Sequence, residues 1–169
     1  MQAIIMAAGR STRTYPLTST RPKPLIPIWN RPLLEHQLRQ LHGLVDEVLL
    51  VVGYRREQIE AHFGHEHTGL RIRYVEQEHQ RGTADAVASA QRFVTGRTLV
   101  LNGDDFYHRD DLSALLNGGR GLLVTKAPDA QNRALVTIVD DAIENIVEKP
   151  SSAPAGALCS AGGYCIERT

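Results

Sequence analysis

The chain has 169 residues, of which 42% are hydrophobic and 22% are charged. A chain of this length and composition can bury one good core, so we expect one globular domain over residues 1–169. Lys and Arg together number 19, as do Asp and Glu, so the formal net charge is zero. This balance gives no global field for wrapping nucleic acid or binding an anionic membrane, and no apolar stretch is long enough for a membrane span. We therefore predict a cytoplasmic protein without nucleic-acid or membrane partners; a homo-oligomer is compatible with the composition.

Apolar runs alternate with amphipathic stretches along the N-terminal part of the chain. The pattern predicts strands at Ala3–Met6, Glu47–Gly53, Arg71–Val75 (an edge strand) and Thr98–Leu101, and helices at Leu34–Leu41, Arg55–Phe63 and Ala84–Phe93. This alternation favours an α/β fold with a mostly parallel sheet and helices on both faces. Such sheets bind ligands at the carboxyl ends of their strands, which is where Gly9 and Asp104 fall.

The pattern changes after Asp104. It predicts a short helix at Leu112–Leu116, a strand at Gly121–Thr125, and two further strands at Ala134–Val139 and Ile143–Glu148. Asp140-Asp141 between the last two strands is a turn signal, so we expect these strands to form a hairpin.

A basic loop follows the first strand. The apolar run ends at Gly9, and the following segment carries four cations and three prolines, namely Arg10, Arg13, Pro16, Arg21, Pro22, Lys23 and Pro24. Glycine allows close approach of the backbone to a ligand, and a loop with N–H groups, hydroxyls and cations suits phosphate. The loop is neither a P-loop nor a Gly-x-Gly-x-x-Gly turn. A merely solvated basic loop is the alternative, which the prolines disfavour because they restrain the flanking backbone.

A second candidate site is the segment Asn102-Gly103-Asp104-Asp105, which follows the predicted strand Thr98–Leu101. An Asp just past a buried strand can hold Mg²⁺ through one oxygen while water and substrate phosphates complete the coordination. We therefore predict Asp104 as a metal ligand and Mg²⁺ as the cofactor. The alternative is an ordinary turn, in which Asp105 faces water.

Taken in order, the motifs resemble those of the sugar-1-phosphate nucleotidyltransferases. The matching residues are Ala7-Ala8-Gly9, Arg13, Pro16-Leu17-Thr18, Arg21-Pro22-Lys23-Pro24-Leu25, Gln77 with Gly82-Thr83, and Glu148-Lys149-Pro150. The resemblance covers nearly the whole chain and implies a Rossmann-like three-layer sandwich of the nucleotide-diphospho-sugar transferase type. It also implies an enzyme that couples a sugar 1-phosphate to UTP or dTTP and releases pyrophosphate.

The resemblance also implies roles for individual residues. Ala7, Ala8 and Gly9 would bind the nucleotide, Arg13 its β- and γ-phosphates, and Lys23 the region of its α-phosphate. Gln77, Gly82 and Thr83 would read the base, with the Gln77 amide as donor and acceptor. Glu148 and Lys149 would contact the sugar hydroxyls and the sugar phosphate, and Ala134 and Ser160 would face the sugar. Independently of the family, Thr83 is a predicted N-cap for the helix that follows.

Two departures from the family pattern concern the sugar pocket. Ala134 stands where the family usually has Gly, and Ser160 stands where it usually has Asn. These changes alter the shape and hydrogen bonding of the pocket, so the identity of the sugar does not follow from the resemblance. The resemblance further implies that the family domain continues beyond Thr169 and supplies a second metal ligand there, so we expect a truncated domain. The alternative function is a non-catalytic nucleotide-binding or regulatory homologue of the same fold.

Overall fold

The computed structural model describes residues 1–79, 81–127 and 129–167. In these residues the strands are β1 (Gln2–Met6), β2 (Pro27–Ile28), β3 (Arg31–Pro32), β4 (Glu47–Val52), β5 (Glu66–His67), β6 (Leu70–Glu76), β7 (Thr98–Asn102), β8 (Gly121–Lys126), β9 (Ala134–Val139), β10 (Ala142–Glu148) and β11 (Leu158–Ile166). The α-helices are α1 (Leu33–Leu41), α2 (Arg56–Phe63), α3 (Thr83–Ala90) and α4 (Arg109–Gly118). Within the described residues, no helix is long and apolar enough to cross a bilayer.

The main sheet has the strand order β10-β9-β11-β7-β1-β4-β6-β5, with β8 also paired to β11. Strands β7, β1, β4 and β6 are parallel neighbours, which confirms the predicted parallel sheet. The strands beyond β7 pair antiparallel, and the β9–β10 hairpin has the expected turn at Asp140-Asp141. Both turn residues have positive φ, as hairpin turns of this length require. The sequence analysis did not predict β11, which lies in the middle of the sheet.

Helices cover both faces of the parallel strands, which confirms the three-layer α/β fold. Side chains alternate along a strand, so Ile4 and Ile5 of β1 enter different cores. Ile5 packs with the apolar residues of α1, α2 and α4 on one face. Ile4 packs against Ala86 and Ala90 of α3 on the other, where small residues let the helix approach the sheet. The layers are therefore helices, sheet and helix.

Candidate functional site

Three cavities meet at the carboxyl ends of β1, β6 and β7, and Asp104 lines all of them. The largest has a volume of about 910 Å³ and extends over the antiparallel part of the sheet. The second, of about 280 Å³, lies towards α3, and the third, of about 130 Å³, lies against the basic loop. The site is therefore at the edge of the sheet where the sequence predicted ligand binding.

The basic loop is folded against the end of β1. Thr18 is fully buried, and its hydroxyl donates to the carbonyl of Ser11 at 2.9 Å. The Tyr54 hydroxyl, which follows β4, contacts the carbonyls of Thr18 and Ser19 at 3.2 and 3.1 Å. Arg13 is exposed and lines the 910 Å³ cavity. These contacts hold the loop in a fixed conformation, whereas anion binding by its cations stays a prediction.

The loop brings a cation to the candidate metal ligand. Lys23 Nζ lies 2.5 Å from Asp104 Oδ2, and both residues line the 130 Å³ cavity with Gly9. The Lys23 side chain is 25% exposed and that of Asp104 is 49% exposed, so both groups are accessible to a ligand. Asp105, which the alternative placed facing water, instead accepts a hydrogen bond from Asn102 Nδ2 at 2.8 Å. The role of Asp104 as a metal ligand stays a prediction.

Two residues fix the segment that carries Asp104. Gly103 donates its backbone N–H to the carbonyl of Met6 at 2.9 Å, and a Cβ at Gly103 would stand 2.4 Å from that oxygen. Glycine is therefore needed here for close approach of the protein's own β1 strand. Gln37 of α1 is buried, and its amide donates to the backbone carbonyls of Asn102 and Asp105 on either side of Asp104.

Strand β11 is tied to the same segment through a bulge between Ser160 and Tyr164. Tyr107 donates to the carbonyl of Gly162 at 2.9 Å and accepts from the backbone N–H of Asn102 at 3.1 Å. Burial, followed by the neighbouring Asp105 charge, raises the pKa of Tyr107, so its hydroxyl stays protonated and able to donate. This bridge holds the β11 bulge beside Asp104.

The residues predicted to read a base lie together in the 280 Å³ cavity. Gln77 follows β6, Gly82 and Thr83 open α3, and all three line this cavity with Gly9. The prediction that Thr83 caps the helix is wrong. Gly82, at φ 111°, is the N-cap, Thr83 is the first helical residue, and no side chain caps this helix. Because Gly82 can adopt a positive φ, it takes the N-cap position, and the N-terminus of α3 lies one residue earlier than predicted.

The residues predicted to face the sugar lie mostly in the 910 Å³ cavity. Ala134 and Glu148 are direct cross-strand partners in the β9–β10 hairpin, and Ser160 of β11 lines the same space. The structure does not bring Lys149 to this set. Lys149 is exposed, has φ 46°, and does not line the cavity. A contact between Lys149 and the sugar phosphate stays a prediction.

The donor set at Asp104 can be compared with what a metal ion needs. Among the described residues, no group of three or more His, Cys, Asp or Glu side chains is arranged to hold a metal. Asp104 offers one accessible carboxylate beside a cavity large enough for phosphates. Mg²⁺ is commonly held by one or two carboxylates plus substrate phosphates and water, so the arrangement fits Mg²⁺ that is bound together with a triphosphate.

Sequence reasoning missed the residues that support Asp104 and Gln77 from other parts of the site, namely Gln37, Tyr107 and Asp85. A signal existed for Gln37, because a polar residue falls between Leu34, Leu38 and Leu41 on the apolar face of α1. A buried Gln on such a face is expected to meet polar backbone groups. The contact from Asp85 to Gln77 joins two segments through the Gly82 turn, and its geometry is not visible in the sequence.

A parallel sheet with a glycine turn and polar side chains around cavities at its carboxyl ends is typical of α/β proteins that bind ligands at this edge of the sheet. The sequence model described as "Nucleotidyl transferase" matches residues 2–169. The chain therefore belongs to the nucleotidyl transferase family, and the resemblance to sugar-1-phosphate nucleotidyltransferases is confirmed.

Individual relatives agree with this family. The chain is 35% identical to "Bifunctional protein GlmU" of Methanococcus maripaludis, in an alignment that covers 100% of this chain and 41% of that protein. It is 30% identical to "UTP--glucose-1-phosphate uridylyltransferase AglF" of Haloferax volcanii, in an alignment that covers 94% of this chain and 69% of that protein. Its fold is similar, with a TM-score of 0.88 and 24% identity, to a putative glucose-1-phosphate thymidylyltransferase from Bacillus anthracis in complex with a sucrose, covering 99% of this chain and 71% of that one.

The chain spans about two fifths of the length of the GlmU relatives that it matches.

Proposed function

We propose that the chain transfers a nucleotidyl group from UTP or dTTP to a sugar 1-phosphate, giving a nucleotide-sugar and pyrophosphate. Residues 1–169 would form the nucleotidyltransferase domain, and the cytoplasm is its expected location because both substrates are cytoplasmic metabolites. The observation that carries the proposal is the position of Asp104, which lines the cavity of Gln77 and Thr83, the cavity of Lys23, and the cavity of Glu148. A reaction that joins two substrates at a phosphate needs such a meeting point.

The chemistry is a single in-line displacement. An oxygen of the sugar phosphate forms a bond to the α-phosphorus, and the bond from that phosphorus to the bridging oxygen of the leaving pyrophosphate breaks. The attacking oxygen supplies the electron pair of the new bond, and the pair of the broken bond leaves on the pyrophosphate oxygen. A direct displacement of this kind needs no covalent enzyme intermediate and no proton transfer. The residues of the chain act by positioning and by charge neutralisation, which are the main contributions to phosphoryl-type transfer.

Each predicted residue has a task in this reaction. The backbone at Ala7, Ala8 and Gly9 lies beside the cavities and allows the nucleotide to come close. Arg13 would bind the β- and γ-phosphates. Lys23 would leave Asp104 for the α-phosphate, where negative charge develops in the transition state.

Asp104, freed from Lys23, would hold Mg²⁺. When bound there, Mg²⁺ supplies neutralisation of phosphate charge and orients the phosphates for the displacement.

The sugar half of the site rests on Glu148, Ser160 and Ala134 in the 910 Å³ cavity. Glu148 accepts hydrogen bonds from sugar hydroxyls, and Ser160 both donates and accepts. Lys149 remains a candidate contact for the sugar phosphate. The name of the Haloferax volcanii relative makes UTP and glucose 1-phosphate the first pair to test.

The test is a matrix of nucleoside triphosphates against sugar 1-phosphates, with Mg²⁺, read by pyrophosphate release. We expect release that requires both substrates, with UTP or dTTP as donor. A reaction without sugar phosphate measures hydrolysis and is the control. Nucleotide binding with no release in any combination would contradict the proposal and favour the non-catalytic homologue.

A further inference from the structure

Three side chains beside the Gly82 turn form a chain of hydrogen bonds. Arg81 Nε and Nη2 lie 3.1 and 2.9 Å from Asp85 Oδ1. Gln77 Nε2 lies 2.9 Å from Asp85 Oδ2. Each carboxylate oxygen of Asp85 therefore has its own donor, and Asp85 connects an exposed cation with a buried amide.

These contacts set the orientation of the Gln77 amide. Nε2 also lies 3.4 Å from the carbonyl oxygen of Gly82. A carbonyl and a carboxylate only accept, so the NH₂ end of the amide must face both, and a flipped amide would place oxygen against oxygen. The hydrogen bond from Gln77 is the largest cause that holds the pKa of Asp85 below its usual value, against opposing burial and with further help from Arg81. Asp85 is therefore an ionised acceptor at neutral pH.

The remaining hydrogen-bonding atom of the amide is Oε1. Gln77 is 7% exposed and lines the 280 Å³ cavity with Gly9 and Thr83. The amide therefore offers a ligand in this cavity an acceptor alone, which differs from the donor-and-acceptor role expected from the sequence.

We propose that Asp85, supported by Arg81, is a positioning residue that makes Gln77 a fixed acceptor and so determines which base edge the site takes. The inference rests on the proposed function to the extent that the ligand is a nucleoside triphosphate. A fixed acceptor pairs with the N3–H of uracil or thymine, and with the N1–H of guanine. It opposes the N3 lone pair of cytosine and the N1 lone pair of adenine, and leaving a buried acceptor against a lone pair is costly.

The experiment measures the Kd of UTP and of CTP by calorimetry with Mg²⁺. The proteins are the wild type, Asp85→Ala, Asp85→Asn and Asp110→Ala. Asp110 is an exposed Asp in the first turn of α4, so it controls for loss of a charge at a helix start. UTP and CTP carry the same phosphates and ribose, so their ratio reports on the base edge alone.

We expect the wild type to bind UTP at least about tenfold more tightly than CTP. Asp85→Ala frees the amide to turn its NH₂ towards the cytosine N3, so the ratio should fall to within about threefold. Asp85→Asn keeps an oxygen for Gln77 and should retain most of the preference, as should Asp110→Ala. A merely structural role of Asp85 would weaken both nucleotides equally and leave the ratio unchanged.

An unchanged ratio in Asp85→Ala, or a wild type with no preference for UTP, would overturn the inference. If Asp85→Ala does not fold, Asp85→Ser removes the same carboxylate and is judged by the same ratio. The two proposals fail separately. If the UTP preference depends on Asp85 but no pyrophosphate is released, only the proposed reaction is contradicted. If pyrophosphate is released but the ratio of the UTP and CTP Kd values does not change in Asp85→Ala, only the positioning role is contradicted.

Discussion

Lys23 Nζ and Asp104 Oδ2 lie 2.5 Å apart, although Lys23 follows the first parallel strand in the chain and Asp104 follows the last one. The pair joins the basic loop after β1 to the turn after β7, and in the absence of substrate each charge neutralises the other. A triphosphate with Mg²⁺ offers each partner a stronger opposite charge. In the proposed reaction, substrate binding would therefore exchange the partner of each charge, so that neither Lys23 nor Asp104 is left unpaired in the site.

Asp104→Asn tests the carboxylate in this exchange. We expect turnover to fall by about a hundredfold or more, because the amide holds a divalent cation poorly, while the fold is retained. The measurement is pyrophosphate release against Mg²⁺ concentration, with the exposed Asp110→Asn as the matched control. Near-normal activity of Asp104→Asn at saturating Mg²⁺ would refute the metal assignment.

Lys23→Ala tests the cation. Its charge matters most as the α-phosphate gains negative charge, so kcat should fall by about tenfold or more while the Kd of the nucleotide changes less. Steady-state kinetics and calorimetry give the two quantities, and Lys126→Ala, which removes an exposed lysine of β8, is the control. Equal losses in kcat and in nucleotide affinity would make Lys23 a binding residue only.

Gln37→Leu tests the support beneath Asp104. The change leaves the half-buried carbonyls of Asn102 and Asp105 without the donor that Gln37 supplies, so we expect a loss of about 1 kcal/mol in the free energy of unfolding. Because the same carbonyls flank Asp104, the Mg²⁺ concentration needed for half-maximal activity should also rise. Urea unfolding and a Mg²⁺ titration measure the two effects. The control variant Gln91→Leu, at an exposed position, should change neither quantity. If Gln37→Leu is as stable as the wild type, the hydrogen bonds from Gln37 do not contribute to stability.

Gly162→Ala tests the bulge in β11. Gly162 and Gly156 both have φ 74°, so alanine is strained at either position by about 1–2 kcal/mol. A Cβ at Gly162 would stand 2.1 Å from Asn102 Nδ2 and 2.8 Å from Asp105 Oδ2, whereas nothing lies within 4 Å at Gly156. Urea unfolding should therefore show Gly162→Ala to be less stable than Gly156→Ala by at least about 1 kcal/mol. Equal losses in the free energy of unfolding for the two variants would mean that the bulge accommodates the methyl group without destabilising the fold.

Tyr74 provides a test at alkaline pH. Its hydroxyl donates to the carbonyl of Gly64 at 2.6 Å, and burial raises its pKa to about 12 from an ordinary value of 10. A pKa that is raised in the folded state stabilises the fold below pH 10, and this contribution is lost as the pH rises from 10 to 12. Denaturation across this range should show a smaller decline for Tyr74→Phe than for wild type. Parallel declines would contradict the assignment.

The N-terminal half of the fold could be predicted from the sequence because its signals are local. The apolar runs at β1, β4 and β7 are long enough to be buried strands, and Gly9 and Asp104 follow them directly. Strand β11 was missed because Ser160, Gly162 and Gly163 interrupt its apolar pattern. Those residues are there for the bulge, whose contacts come from other strands.

The site divides in the same way. Residues that would touch a ligand, such as Lys23 and Gln77, could be recognised by their motifs. Their supports could not, because Gln37 and Asp85 act through hydrogen bonds whose direction depends on the folded backbone. The orientation of the Gln77 amide is an example, since its sequence position is compatible with either end facing the ligand.

The place of β11 in the sheet has a consequence for synthesis on the ribosome. The parallel strands β1, β4, β6 and β7 are all complete by Asn102 and can pair while the rest of the chain is still being made. The β9–β10 hairpin contacts this sheet through β11, whose residues leave the ribosome after it. Until Ile166 has emerged, the nascent chain holds the parallel half of the sheet and an unattached hairpin, so the cavity wall carrying Ser160 and Glu148 is closed only when a strand translated after the hairpin joins them.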